Sequence, residues 1–215
     1  MLKGIIFDLD GVLINSERKS VEDNRDFLWE NGVEPNMRDL IALVGTTDLD
    51  NFAYMAKILK VDFATAQAML ERYIDEHPMH GPEILMPGAI SLLEFLKNRG
   101  LVIALASNSP LDFVDRMLDE CGMRPFFDHI VSGRTLNRCK PDPAIYLYSM
   151  KQLGLSPEEL LVIEDSPYGV EAAVRAGLRV ASLRDPVLEL DLSQATWQID
   201  SLDQIKDIVK QEMIL

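Results

Sequence analysis

The stretch KGIIFDLDGVL at residues 3–13 constrains the fold more than any other part of the chain. A short apolar run between two glycines is typical of a buried strand. Asp8 and Asp10 follow where that strand should end, and their spacing places both on the same face of an extended chain. Two carboxylates this close repel each other unless a cation lies between them or one is protonated. Gly11 then permits a sharp turn. The pattern predicts a strand whose carboxyl end has a chemical role.

The acidic pair has two simpler interpretations. Asp-x-Asp-Gly can merely end a strand and begin a turn, or it can be part of a calcium-binding loop. A calcium loop that began at Asp8 would need glutamate at its twelfth position, where this chain has Lys19. Calcium loops also follow helices, whereas a strand precedes this pair. The calcium loop is therefore disfavoured, and a simple turn stays open for the pair taken alone.

Composition limits the class of partner. With 35 acidic and 21 basic side chains, the formal net charge is -14. Such a surface repels nucleic acid and anionic membranes, so we expect neither as a partner. Cys121 and Cys139 are too far apart for a metal knuckle. Because Asp8 and Asp10 interrupt the first apolar run, we expect no signal peptide, and no apolar stretch approaches membrane-spanning length. These features predict a reduced, cytoplasmic protein.

The order of predicted elements indicates an α/β fold with a helical insert. Residues 15–80 contain helical patterns and no convincing strand, and a linker rich in proline and glycine follows from Pro78 to Pro87. From Gly88 onward, apolar strands alternate with helices. That alternation is typical of a mostly parallel sheet covered on both faces. In such sheets ligands bind outside the carboxyl ends of the strands, where the strand order reverses.

Polar side chains are predicted at the carboxyl ends of the first, second and fourth strands, and a lysine follows the third. These residues are Asp8, Asp10, Ser107, Asn108, Lys140, Glu164 and Asp165. A parallel sheet would bring all of them to one edge. Four acids on one edge need a hard divalent cation, and oxygen ligands favour Mg²⁺.

This set of residues suits phosphoryl transfer, which needs an in-line nucleophile, charge neutralisation and a proton for the leaving oxygen. Asp8 could be the nucleophile, giving an aspartyl phosphate. Asp10 could protonate the leaving group and later deprotonate the attacking water. Lys140 and the metal would neutralise the phosphate, and Ser107 could donate a hydrogen bond to it. The acids after the fourth strand would hold the metal.

Four motifs in this chain resemble those of the haloacid dehalogenase superfamily, in the family's order and across the whole chain. They are FDLDGVL at 7–13, SN at 107–108, KPDP at 140–143 and IEDS at 163–166. The resemblance implies a Rossmann-like α/β core of residues 1–14 and 83–215, with an inserted α-helical cap domain at 15–82. The subgroup that the chain resembles is that of β-phosphoglucomutase and small sugar-phosphate phosphatases.

The resemblance also implies a role for each site residue. It implies Asp8 as nucleophile, Asp10 as acid and base, Ser107 and Lys140 on the phosphate, and Mg²⁺ held by Asp8, the Asp10 carbonyl and Asp165, with Glu164 in support. For Asn108 we expect a contact with phosphate through the backbone amide rather than the side chain. The resemblance points the cap loop of Gly45, Thr46 and Thr47 at the substrate, although a plain polar loop is an equal interpretation. Cap closure would bring this loop over Asp10, with hinges near Asn15 and at 82–87.

We therefore expect a monomeric, Mg²⁺-dependent phosphohydrolase that cleaves a small phosphomonoester, favouring a sugar phosphate, through an aspartyl-phosphate intermediate. A β-phosphoglucomutase-type phosphomutase is the alternative. Caps of that type carry an arginine three residues after the loop glycine, where this chain has Asp48. Arg38, Lys57 and Arg72 remain candidates for a replacement.

Two other classes fit less well. Dehalogenases of this family need neither the second acid nor the metal, so Asp10 and Asp165 argue against cleavage of a carbon–halogen bond. Receiver domains also gather acids around Mg²⁺, but they are shorter, lack a cap and lack the Asp-x-Asp spacing. A catalytically silent regulatory relative would usually have lost the nucleophile or the metal acid, and both are present here.

Overall fold

The structure is a computed structural model that describes residues 1–213. The chain divides into two compact units: residues 1–15 together with residues 81 onward, and Ser16–His80. The smaller unit begins one residue after and ends two residues before the predicted insert of residues 15–82.

A fully parallel six-stranded sheet forms the centre of the larger unit. Its strands are β1 (Gly4–Phe7), β2 (Val102–Ser107), β3 (His129–Ser132), β4 (Leu160–Glu164), β5 (Arg179–Leu183) and β6 (Trp197–Ile199). The spatial order is β3-β2-β1-β4-β5-β6. Strands β2 and β3 lie on one side of β1, and β4, β5 and β6 lie on the other side, so the strand order reverses at β1. Ligands bind at the carboxyl end of such a reversal.

Both faces of the sheet are buried, which is why its strands have continuous apolar sequences. Within β1, Ile5 and Phe7 belong to one hydrophobic cluster and Ile6 belongs to the other. Phe7 pairs with Leu105 on β2 and with Ile163 on β4. Residues that follow β1 consequently enter the space between the ends of two neighbouring strands.

The smaller unit is helical in its regular structure. Its helices are α1 (Ser16–Glu30), α2 (Met37–Ile41), α3 (Asp48–Leu59) and α4 (Phe63–Glu76). Phe27 and Tyr73 meet edge to face with their ring centroids 5.5 Å apart, and Phe52 and Phe63 do so at 6.1 Å. Together with the buried Met55, these contacts give the unit an apolar core of its own.

Within residues 1–213, six further α-helices belong to the larger unit. They are α5 (Gly81–Ile84), α6 (Ala89–Lys97), α7 (Leu111–Glu120), α8 (Ala144–Leu153), α9 (Pro167–Arg175) and α10 (Asp203–Glu212). Helices α6, α7 and α10 cover one face of the sheet, and α8 and α9 cover the other. Over the part of the chain that is described, no helix has the length and apolar character needed to cross a membrane.

The predicted α/β architecture is confirmed, with one local difference. The stretch 78–87 contains the short helix α5 where its prolines and glycine predict a linker. Pro82 is the second residue of that helix. Proline is tolerated there because the first-turn N–H groups have no intrahelical partner in any case.

Candidate active site

Asp8 directly follows the central strand and is 7% exposed. Its backbone N–H donates to the Ile163 carbonyl at 2.9 Å, which extends the pairing of β1 with β4 by one residue. The Leu9 N–H donates to Asp8 Oδ1 at 2.8 Å and so helps to fix the orientation of the carboxylate. The position of Asp8 is thus set by backbone hydrogen bonds of the sheet and of the turn that follows it.

Lys140 connects two acids at this edge of the sheet. The lysine is 5% exposed, and its Nζ lies 3.1 Å from Asp8 Oδ1 and 2.6 Å from Glu164 Oε1. Burial disfavours a charged amine, but the negative charges of Asp8 and Glu164 outweigh burial and raise the pKa of Lys140 above its usual value. The lysine therefore stays protonated across the physiological range.

Glu164 ends β4 and is completely buried. Its Oε1 accepts hydrogen bonds from Lys140 Nζ and from the Tyr146 hydroxyl, both at 2.6 Å. Its Oε2 accepts from the Asp165 N–H at 3.1 Å and from Ser166 Oγ at 3.3 Å. Glu164 is therefore held through both oxygens, and its charge is compensated within the protein.

Two glycines allow carboxylates to approach the backbone closely. A Cβ on Gly169, in the first turn of α9, would lie 1.9 Å from Glu164 Oε1. A Cβ on Gly11 would lie 1.8 Å from Asp165 Oδ2, and Gly11 has a φ of +69°. A side chain at either position would collide with an acid of the site, so these glycines are part of its construction.

Asp10 is held by two serine hydroxyls from the loop after β2. Ser107 Oγ donates to Asp10 Oδ2 at 3.0 Å, and Ser109 Oγ donates to the same oxygen at 2.7 Å. Ser107 is fully buried, whereas Asp10 and Ser109 are half-buried. The Ser107 hydroxyl, predicted to contact phosphate, is thus bonded to Asp10 in this structure.

Asn108 fixes the loop that carries Lys140. Its Oδ1 accepts from the Lys140 N–H at 2.9 Å, and its Nδ2 donates to the Lys140 carbonyl at 3.3 Å. The Asn108 side chain is therefore bonded to the loop of Lys140. The contact of Asn108 with phosphate through its backbone amide stays a prediction.

The acids at this edge form a cluster with the chemistry of a divalent-cation site. One carboxylate oxygen from each of Asp8, Glu164 and Asp165 lies within 4.8 Å of the other two. Burial raises the pKa of Asp8 well above its usual value, and the negative charge of Glu164 raises it further, against the opposing charge of Lys140. A hard cation with oxygen ligands would relieve this repulsion, so the donor set fits Mg²⁺.

The three predicted cap-loop residues lie in the smaller unit, and each makes local contacts there. The Gly45 N–H donates to Glu17 Oε1 at 3.2 Å, and Thr46 Oγ1 donates to the Leu43 carbonyl at 2.6 Å. Thr47 is the N-cap of α3 and forms a capping box with Asp50. The Thr47 side chain therefore has a structural use that the sequence reasoning did not assign.

Seven predicted site residues come together at the carboxyl edge of β1, β2 and β4; the role of each stays a prediction. They are Asp8, Asp10, Ser107, Asn108, Lys140, Glu164 and Asp165. Sequence reasoning missed Ser109 and Tyr146. Ser109 could have been found because it lies two residues after Ser107, as Asp10 does after Asp8. Tyr146 gave no signal, because it resembles an ordinary core aromatic near the start of a helix.

A family model described as haloacid dehalogenase-like hydrolase matches residues 5–183. The chain is 34% identical over 199 residues to Protein SUPPRESSOR OF QUENCHING 1, chloroplastic, of Arabidopsis thaliana, a match covering 90% of this chain. It spans only 19% of that longer relative.

Two further matches cover most of both partners. The chain is 31% identical over 180 residues to Phosphorylated carbohydrates phosphatase of Thermotoga maritima, with 82% of each chain covered. The crystal structure of a haloacid dehalogenase family hydrolase from Deinococcus radiodurans, with bound phosphate and sodium, superposes with a TM-score of 0.82 at 25% identity. That superposition covers 100% of this chain and 97% of the other.

Proposed function

This chain belongs to the haloacid dehalogenase-like hydrolase family, and from that membership we propose that it is a Mg²⁺-dependent phosphatase of a small phosphomonoester. The observation that carries the proposal is the position of Asp8. It follows the strand at which the strand order reverses, with Lys140 Nζ 3.1 Å from its carboxylate and Asp10 two residues further on. Hydrolysis through a covalent intermediate requires a nucleophile, a positively charged group beside it and a second acid.

In the first step, an oxygen of Asp8 attacks the phosphorus atom of the substrate. A bond forms between that oxygen and phosphorus, and the bond between phosphorus and the ester oxygen breaks. Asp10 gives its proton to the departing oxygen, which leaves as an alcohol. The products of the step are the alcohol and an aspartyl phosphate on Asp8.

In the second step, a water oxygen attacks the same phosphorus atom. Asp10, now ionised, takes a proton from the water, and the bond between phosphorus and Asp8 breaks. Inorganic phosphate leaves, Asp8 is again a carboxylate, and Asp10 is again protonated. The two steps therefore return the protein to its starting state.

Lys140 and the phosphate-binding donors stabilise charge throughout. Lys140 stays protonated beside Asp8 and so offers a positive charge to the phosphoryl oxygens. The Ser107 hydroxyl and the Asn108 amide are assigned to hydrogen bonds with those oxygens. Asp8, the Asp10 carbonyl and Asp165 would hold the cation, with Glu164 oriented beside them. Mg²⁺, when bound, would neutralise phosphoryl charge as a Lewis acid.

A sugar phosphate is the proposed substrate. The support is the name of the Thermotoga maritima relative, a phosphatase of phosphorylated carbohydrates. We assign substrate preference to the loop of Gly45, Thr46 and Thr47 in the smaller unit. Because Thr47 also caps α3, Thr46 is the cleaner position for a test. Thr46→Ser keeps the hydroxyl that donates to the Leu43 carbonyl and removes only a methyl group, so it should change the ranking of sugar phosphates while the urea midpoint stays within error. An unchanged ranking would contradict the assignment.

The experiment that tests the function is phosphate release from a panel of sugar phosphates with Mg²⁺ or with EDTA. Wild type is compared with Asp8→Asn and with Asp207→Asn, which alters an exposed acid on α10. Metal-dependent release that is lost in Asp8→Asn and kept in Asp207→Asn supports the proposal. Release that survives in Asp8→Asn contradicts the covalent mechanism.

A parallel reaction with β-glucose 1-phosphate and a bisphosphate primer separates the phosphatase from the phosphomutase. Glucose 6-phosphate formed without free phosphate would replace the proposed hydrolysis by a mutase reaction. Free phosphate without glucose 6-phosphate is the expected result.

A further inference from the structure

Ser109 makes a hydrogen bond that local structure does not explain. A serine just before a helix usually caps it, but the N-cap of α7 is Pro110, which makes no side-chain capping bond. The Ser109 hydroxyl instead donates to Asp10 Oδ2 at 2.7 Å, across 99 positions of sequence. The bond therefore links the loop after β2 to the turn after β1.

The backbone of Ser109 is fixed on both sides of its Cα. Its N–H donates to Ser107 Oγ at 2.9 Å, and its carbonyl accepts from Ser132 Oγ at 2.6 Å. Ser132 is fully buried at the end of β3. A hydroxyl on a backbone held this way is preorganised, because little freedom remains to be lost when it binds its acceptor.

Ser107 cannot hold Asp10 and bind phosphate at the same time. A hydroxyl has one proton to donate, and in this structure Ser107 gives it to Asp10 Oδ2 at 3.0 Å. When Ser107 donates to a phosphoryl oxygen, as in the proposed function, that bond to Asp10 is lost. The Ser109 bond remains, since its hydroxyl is not needed elsewhere in the proposed mechanism.

We infer that Ser109 is a positioning residue that keeps the Asp10 carboxyl group oriented for proton transfer while Ser107 binds the phosphate. The inference rests on the proposed phosphatase function. It concerns the step in which Asp10 gives its proton to the ester oxygen as the bond between phosphorus and that oxygen breaks. A misdirected Asp10 should slow this step most where the leaving oxygen needs a proton.

The test compares two substrates that differ in their need for that proton. The leaving group of an alkyl phosphate is a basic alkoxide, which needs a proton from a general acid. The leaving group of p-nitrophenyl phosphate is a stable phenolate, which needs little such help. The variants are Ser109→Ala, Ser109→Thr, which keeps the hydroxyl, and Ser149→Ala. Ser149 is a matched control, because it is fully buried and donates to the Ile145 carbonyl within α8. The readout is kcat/KM, which covers the steps up to the first transfer.

For Ser109→Ala we expect about a tenfold or larger loss of kcat/KM with the alkyl phosphate and less than about a threefold loss with the aryl phosphate. Ser109→Thr should recover most of the kcat/KM for the alkyl phosphate. Ser149→Ala should lower kcat/KM equally for both substrates or leave it unchanged. Equal losses with both substrates in Ser109→Ala, or no loss with either, would overturn the inference while the phosphatase stands. If Ser109→Ala does not fold, Ser109→Cys, which keeps the volume, takes its place. A wild type that releases no phosphate from either substrate would overturn the proposed function and the inference with it.

Discussion

Replacing Gly169 by alanine tests how firmly the Glu164 carboxylate is held. Gly169 lies in the first turn of α9, and an added Cβ would be 1.9 Å from Glu164 Oε1 and 2.1 Å from Oε2. Helix propensity alone would make the alanine variant more stable by about 0.8–1 kcal/mol. An overlap with the end of a side chain is usually relieved at little cost, because the side chain rotates away. The sign of the effect therefore depends on whether Glu164 can move.

The hydrogen bonds of Glu164 give the size of the expected effect. Its carboxylate accepts from Lys140 Nζ, the Tyr146 hydroxyl and the Asp165 N–H, and the residue has no exposed surface. Breaking a buried charge pair costs about 3–5 kcal/mol. After the helix-propensity gain is subtracted, Gly169→Ala should lower the free energy of unfolding by about 2–4 kcal/mol.

Urea denaturation followed by far-UV circular dichroism measures this loss as a lower midpoint at an unchanged slope. The double variant with Glu164→Ala supplies the control, because it removes the carboxylate that the new Cβ would strike. In the double variant, adding Gly169→Ala should no longer destabilise, which gives a large coupling energy in the mutant cycle. A Gly169→Ala protein as stable as the wild type, or more stable, would refute the reasoning that Glu164 is immobile.

Three further predictions follow from contacts near the site. Tyr146→Phe keeps the ring beside Lys140 but removes a donor from Glu164, so the free energy of unfolding should fall by about 1–3 kcal/mol; an unchanged urea midpoint would contradict this. Asn108→Ala removes both side-chain hydrogen bonds to the Lys140 backbone and should lower kcat/KM at least about tenfold, while Asn98→Ala at an exposed helix end should not. Burial lowers the pKa of His129, so the unfolded chain takes up a proton first as the pH falls through about 6.5, and the free energy of unfolding should decrease below that pH. His129→Gln should weaken this decrease in urea titrations at several pH values, and an identical pH profile would count against it.

The fold could be predicted because its signals are local and repeated. Strands of a parallel sheet covered on both faces become apolar runs, and the helices between them end at glycines such as Gly154 and Gly177. Boundaries were less predictable. The apolar positions at helical spacing begin only at Val170, whereas α9 begins at Pro167. Proline favours a first helical position and Ser166 caps that end, signals that apolar spacing does not contain.

Bringing the site residues to one edge was also predictable, because the carboxyl ends of parallel strands meet there. The pairing of their side chains was not. Lys140 follows β3 in sequence, yet its Nζ contacts acids after β1 and at the end of β4. The Ser107 hydroxyl binds Asp10 although its position suits phosphate. Such choices depend on rotamers and on donors supplied by distant segments, which no single motif specifies.

From the charges of the site we predict that a cation binds before phosphate. The buried carboxylates of Asp8, Glu164 and Asp165 lie close to one another, and Lys140 Nζ contacts those of Asp8 and Glu164, in a protein of formal net charge -14. A phosphate dianion that entered this cluster without a cation would be repelled by the carboxylates. The repulsion would be strong because the buried site has a low dielectric constant. Inorganic phosphate should therefore stabilise the protein against heat in the presence of Mg²⁺ and not in EDTA, because only a ligand that binds the folded state raises its melting temperature. Equal stabilisation by phosphate under both conditions would show that Lys140 and the backbone amides alone offset the negative charge of the acids. Phosphate could then bind without a cation.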